Sequence, residues 1–360
     1  MPRAFALGTH HIMGFSDRIL GKKTVNGGPR IDTVAPAFAL AGGELRITGS
    51  GLRPQQLQRP KVQFGEFEGS IVVSSEGFLV ARVPEGATSG PVVVATNGHV
   101  SNSHTVKVAV PIAENLHPVT NPALDPEGNI YATVSGSRGQ KVPVAIFKID
   151  TNYTIKPFVN DMMNATAIAF DREGQMYVSS RYDGAVYRVA PNGTMTTYAE
   201  GMGVATGIAF DGQQSLYVGD RNGTIFKIAR DQQVFVFATL EVSVSAYHLA
   251  FSPQGDLFVT GPTDRVYKID PNGTVSTFYK GLGRPQGLAF DANGNLYVAA
   301  SLSGTRGIVK ISPDGLANLE VAGQALVGLA FAPGRSVVLA TTNSVHHLSW
   351  DIQGSPLPPE

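Results

Sequence analysis

One pattern, ATGIAFDGQQSLY at 205–217, returns along the chain and limits what it can fold into. The same frame reads TAIAFDREGQMYV from Thr166, YHLAFSPQGDLFV from Tyr247, QGLAFDANGNLYV from Gln286 and VGLAFAPGRSVVL from Val327. A looser copy, TNPALDPEGNIYA, starts at Thr120. The marker residues Asp125, Asp171, Asp211, Ser252, Asp291 and Ala332 lie 39 to 46 residues apart. Each interval holds several short apolar runs and no helix, the signature of a β-propeller blade. The copies predict six blades of four strands, exemplified by 206–210, 215–219, 224–229 and 233–238. Residues far apart in the chain then meet on one central axis.

The connections carry the turn chemistry this needs. Pro191-Asn192-Gly193 and Pro271-Asn272-Gly273 sit between third and fourth strands, where Asn-Gly suits a type I′ hairpin, and Pro313-Asp314-Gly315 does the same work. Runs such as LYVGD and IFKIA are apolar on both sides, as a strand sandwiched between neighbouring sheets requires. Asp125-Pro126-Glu127-Gly128-Asn129 and Asp291-Ala292-Asn293-Gly294-Asn295 look like the start of a calcium loop but have no closing glutamate, and read as turns. The last copy has only three strands before its Pro-rich tail, so an earlier segment must close the ring. Val106 to Ala113 is the first choice and Ala4 to Ile12 the alternative.

Composition excludes several functions. Lysine plus arginine equals aspartate plus glutamate at 28 each, so no basic field exists for nucleic acid or an anionic membrane. With no cysteine, disulfides and thiolate metal sites are absent, which fits a reducing compartment. The first twenty residues interrupt any apolar run with His10, His11, Asp17 and Arg18, and no stretch is long enough to span a bilayer. A cytoplasmic location is expected.

From Arg30 the chain reads as short strands between Gly and Pro clusters, with period-two alternation at Glu44-Leu45-Arg46-Ile47-Thr48. About eighty residues of this kind make a small β-sandwich. The ordered features Ile31-x-x-Val34-x-Pro36, GGELRITGSGL from Gly42, Val62-x-Phe64-Gly65, Val83-Pro84-Glu85-Gly86 and SGPVVV from Ser89 resemble the immunoglobulin-like IPT/TIG family. Members are spacers or interaction modules, which implies a protein partner. The expected organisation is an arm and linker at 1–29, the sandwich at 30–110, the propeller at 111–350 and a tail at 351–360. The fold class is all-β.

The motif G-[IL]-A-F-D-x-x-G-x-L-Y-V resembles six-bladed propellers of the senescence marker protein/gluconolactonase and NHL-repeat superfamily. That resemblance implies a ligand at the channel mouth and, in gluconolactonase-type members, a calcium ion held there. The inner-strand starts that would face such an ion are Thr120, Thr166, Thr206, Tyr247, Gln286 and Val327, none of them acidic, whereas calcium sites normally use carboxylates. The expectation is no cofactor. If a calcium or other divalent cation is held, Asn121, Asp220 and Gln286 are its ligands.

Loops on the same face carry Arg138, Arg181, Asp220, Arg221 and Arg306, whose guanidinium forks suit a carboxylate or sugar-like ligand. Inter-blade ion pairs are the competing use for the same residues. His248 is the single candidate general base, its ordinary pKa lying near neutrality. Three functions follow. The first is a binding protein for a small polar or carbohydrate-related ligand. The second is a gluconolactonase-type lactone or ester hydrolase, and the third a protein-interaction scaffold.

Overall fold

The computed structural model describes residues 28–53, 59–137, 139–242 and 246–355. The expected arm before Gly28, with the alternative ring-closing segment Ala4 to Ile12, lies outside the described residues, as do Arg138 and 356–360 of the tail. Every element among the described residues is a strand, and no helix is long and apolar enough to cross a membrane.

The chain opens with β1 (Arg30–Ala35), β2 (Phe38–Ala39), β3 (Glu44–Ser50), β4 (Lys61–Phe64), β5 (Phe67–Ser74), β6 (Phe78–Arg82), β7 (Gly90–Thr96), β8 (His99–Val100) and β9 (His104–Val108). Alternation places Leu45 and Ile47 of β3 and Val106 and Val108 of β9 in a core with Ile31, Val62, Leu79 and Val94, while Arg46 and Lys107 face water. β10 (Val110–Glu114) follows.

The repeats come next: β11 (Ala123–Leu124), β12 (Ile130–Thr133), β13 (Ile146–Ile149), β14 (Ile155–Val159); β15 (Ala165–Phe170), β16 (Met176–Ser180), β17 (Ala185–Val189), β18 (Met195–Ala199); β19 (Ala205–Phe210), β20 (Leu216–Asp220), β21 (Thr224–Ile228), β22 (Val234–Thr239); β23 (His248–Phe251), β24 (Leu257–Thr260), β25 (Arg265–Ile269), β26 (Val275–Lys280); β27 (Leu288–Phe290), β28 (Leu296–Leu302), β29 (Thr305–Ile311), β30 (Ala317–Ala322); and β31 (Leu326–Ala332), β32 (Ser336–Thr341), β33 (Ser344–Ser349). They form a β-propeller. Inner strands β11, β15, β19, β23, β27 and β31 each touch the next, and β31 returns to β11.

Three expectations need correction. Five four-stranded sheets stand alone, not six: β11–β14, β15–β18, β19–β22, β23–β26, and β31–β33 completed by β10. Strands β27–β30 belong to a thirteen-stranded sheet that runs through β2 into the N-terminal strands. The sandwich is therefore not a separate sheet system. β2 pairs in parallel with β9 on one side and β30 on the other, and Leu40 and Ala109 share a core with Trp350 and Val321. The physical reason is that the outer edge of β30 is free to accept β2. The ring closes with β10, the end of the first-choice segment, through Val110 opposite His347. The hairpin glycines Gly193, Gly273 and Gly315 have φ of 82°, 83° and 85°, whereas Asn192, Asn272 and Asp314 keep negative φ, so these turns are not type I′.

The repeated motif is consumed by packing. In four units the second-strand aromatic meets the inner-strand phenylalanine of the next edge to face: Tyr177 with Phe210 at 5.0 Å, Tyr217 with Phe251 at 5.0 Å, Phe258 with Phe290 at 4.9 Å and Tyr297 with Phe331 at 5.3 Å between centroids, while Tyr131 meets Phe170 in a tilted contact at 5.5 Å. The motif aspartate closes the first turn, as where Asp291 Oδ1 accepts the Asn295 N–H at 2.8 Å, and its other oxygen receives the Tyr297 hydroxyl at 3.2 Å. At the seam between last and first units the two positions hold Val338 and Leu124, which pack in one aliphatic cluster.

Candidate functional site

The threonines at the inner-strand starts are buried and serve the ring. Thr120 Oγ1 donates to Thr166 O at 2.9 Å, Thr133 Oγ1 to the same carbonyl at 3.3 Å, and Ser179 Oγ to Thr206 O. Thr206 Oγ1 donates to Gly219 O at 2.7 Å and accepts the Tyr247 N–H at 3.2 Å. Thr166 Oγ1 donates to Asn164 O at 3.0 Å. Neighbouring sheets are thus laced by hydroxyl-to-carbonyl bonds, because a carbonyl on an inner strand has no further strand to receive it.

Asn121 is a clasp. Its Nδ2 donates to Leu288 O at 2.8 Å and its Oδ1 accepts the Leu329 N–H at 3.1 Å, joining β27 and β31 to the first repeat. Glycine is required beside it: a Cβ on Gly287 would lie 2.0 Å from Asn121 Oδ1, and one on Gly328 would lie 2.6 Å from the Asn121 Cα. Asn121 also lines the inner end of a cavity of about 950 Å³ that runs toward the opposite face. Ala169, Ala209, Ala250 and Ala330 line its wall, with Gln353 to Ser355 at its edge.

A different set converges around His248. The residue is 5% exposed, and Thr260 lies opposite it in register. Thr260 Oγ1 donates to Gln286 O at 2.5 Å. The Gln286 side-chain oxygen accepts from Arg306 Nη2, which also donates to Leu326 O. Arg306 Nη1 donates to Arg284 O at 2.7 Å and to Gly283 O at 3.3 Å. All these acceptors are uncharged, and among the described residues Arg306 has no carboxylate partner. Burial and the neighbouring Arg284 charge bring the Arg306 pKa down to about 10. Burial, then the Arg306 charge, pushes His248 down to about 4, so its imidazole is neutral at pH 7. Neither ring nitrogen has a hydrogen-bond partner among the described residues.

The other sequence candidates sit apart from this set. Tyr247 is buried, its hydroxyl on Glu241 O, and burial raises its pKa to about 12. Asp220 is buried and accepts the Val204 N–H at 2.8 Å. Arg221 Nε is buried without a hydrogen-bond partner among the described residues. Arg181 Nη2 donates to Gly136 O at 2.5 Å. Sequence reasoning gave no channel-mouth role to Thr260, Arg284 or Asn164; the last holds Gly136, Ser137 and Gly139 together, accepting the Gly139 N–H at 2.7 Å and donating to the Gly136 and Ser137 carbonyls. The hydroxyl of Thr260 was legible as the counterpart of Ser179 in the aligned repeats.

The ligands named for a cation do not fit one. Asn121 Oδ1 is taken by the Leu329 N–H, Gln286 Oε1 by a guanidinium, and Asp220 Oδ1 by a backbone N–H. No group of three or more metal-ligating acids or histidines forms among the described residues.

No protein-family model matches the chain, and no curated protein is similar to it in sequence. Solved structures are similar in fold. An auxiliary nutrient binding protein from Bacteroides ovatus is 13% identical with a TM-score of 0.55, over 89% of this chain and 97% of the other. Regucalcin, a calcium-binding protein from Agrobacterium tumefaciens, is 16% identical with a TM-score of 0.57, over 70% and 96%. A luciferin-regenerating enzyme is 14% identical with a TM-score of 0.56, over 69% and 96%. The structural neighbours thus include propellers of the gluconolactonase type.

Proposed function

We propose that the protein binds a small polar ligand with an anionic group at the channel mouth, between Arg306 and His248. The observation that carries this reading is a partly buried guanidinium bonded only to neutral oxygens, with no carboxylate among the described residues to balance it. A charge in that setting is stabilised by an anion arriving from solvent. Gln286 holds the guanidinium in place, and the neutral imidazole can donate one hydrogen bond and accept another. Arg221, Arg181 and Asp220 stand apart from this pair and take no part in it; carbohydrate acids are the ligand class that pairs a carboxylate for Arg306 with hydroxyls for Gln286 and His248. A neighbour named for nutrient binding agrees with this reading.

We read β27–β30 as a sixth radial blade that β2 extends, with the propeller at 111–350 and the strands of 30–110 as an IPT/TIG-like spacer or interaction unit. The cysteine-free composition supports a cytoplasmic location within the same proposal. The lactone hydrolase reading is weaker, because the residues it needs as metal ligands are each occupied by the fold.

Calorimetric titration with sugar acids, their lactones and the parent neutral sugars tests the proposal. Binding of an acid that falls by about two orders of magnitude in Arg306→Gln, as expected for a lost charge-assisted pair, supports it. Equal binding by both proteins, or by none of the panel, would overturn it.

A further inference from the structure

The outermost strands of the sheets offer an internal comparison, because they occupy the same place in each copy. The first three residues of each are Ile155-Lys156-Pro157 in β14, Met195-Thr196-Thr197 in β18 and Val275-Ser276-Thr277 in β26, with the second and third exposed in every case. Lysine, proline and short hydroxyl side chains blunt an edge against further pairing. β30 is covered by β2, and β10 carries Pro111. β22 breaks the rule. It reads Val234-Phe235-Val236, exposed by 40%, 50% and 65%, with no proline or charge along its six residues.

β22 is the terminal strand of its sheet, so one side of its backbone has no strand partner among the described residues. Apolar side chains and open hydrogen-bonding groups together make a pairing surface, not merely an exposed patch. The charges at its two ends select the occupant. Arg230 precedes the strand, is exposed and has no ion pair among the described residues; Glu241 follows it, with its side chain 65% exposed and Arg265 only 3.9 Å away. Set two copies antiparallel about a two-fold axis, which places Phe235 opposite Phe235 and Val234 opposite Val236, and Arg230 of one comes to the end that carries Glu241 of the other. An aromatic pair at the axis is a favourable cross-strand contact, and the two-fold arrangement makes the β-branched Val234–Val236 pair twice.

We propose that β22 pairs with β22 of a second copy of this chain, forming one continuous eight-stranded sheet across a two-fold dimer. The contact is a strand edge, at the small end of specific interfaces, so the dimer dissociates in the micromolar range.

Sedimentation equilibrium over a concentration series tests this. The full chain is expected to pass from monomer to dimer across about 1–100 μM. Val236→Lys should weaken association at least about tenfold, whereas Thr197→Lys, the matching change on β18, should not. Circular dichroism confirms that each variant is folded. Arg230→Glu should weaken the dimer and Glu241→Arg added to it should restore it, a reversal that a merely structural effect would not produce. A chain monomeric at several hundred micromolar, or a dimer unaffected by Val236→Lys, overturns the proposal. So does a monomer whose β22 takes up an extended peptide instead.

Discussion

Acid should unfold this protein earlier than its carboxylates alone would require. His248 and His346 are both held near pKa 4 by burial, His248 with the added repulsion of Arg306. In the unfolded chain each returns to about 6.5. Between those values the unfolded state binds protons that the folded state refuses, so stability present above pH 6.5 is lost as pH falls toward 4. A depression from 6.5 to about 4 at 1.36 kcal/mol per pH unit gives about 3 kcal/mol for each residue. Half-buried His347 acts in the same direction. The assay is urea unfolding followed by tryptophan fluorescence, since Trp350 is 3% exposed in the core shared by β2 and the last repeats. The midpoint should fall steeply from pH 6.5 to 4.5, and His248→Gln should remove about half of that slope. A flat profile in this window would refute the reasoning, because it would mean that both imidazoles charge freely in the folded state. The exposed Asp150, Asp270 and Asp314 carboxylates, lowered chiefly by hydrogen bonds, titrate below this window and do not confuse it.

Other consequences are open to measurement. Asn121→Ala should cost about 2–4 kcal/mol, because it strands the Leu288 carbonyl and Leu329 N–H, read from denaturant midpoints. Gly287→Ala should cost a similar amount by driving Cβ into the Asn121 amide, and the double variant should cost less than the sum of the two. Tyr217→Ala removes the ring that packs against both Phe237 and Phe251 and should cost about 3–5 kcal/mol, read from thermal melts converted to free energy. Ile112→Asp, in the strand that closes the last repeat, should prevent cooperative folding, seen as loss of the unfolding transition in calorimetry.

Much of the architecture was legible before any coordinates. Within the third repeat the expected 224–229 and 233–238 runs fall within one residue of β21 and β22, because alternation and turn residues act locally. The tyrosine and phenylalanine positions recur because each must meet the other across a sheet boundary. The site was less legible. Threonines chosen for a ligand proved to lace the ring, since a hydroxyl near an axis looks the same in sequence whether it faces a ligand or a neighbouring carbonyl. The seam was hidden too, as Asn121 and Leu288 are far apart in the chain and meet only when the ring closes.

What the sequence by itself determined is the local order: strands, turns and the forty-residue period, all set by side-chain alternation and backbone preference over a few residues. Only the tertiary structure decided that β2 would fuse two sheets, that Asn121 would fasten the seam, and that Arg306 would stand beside His248 with no counter-charge among the described residues. Those outcomes depend on which distant backbone edges and charges are left unsatisfied once the local pieces assemble, and no stretch of the chain carries that information alone.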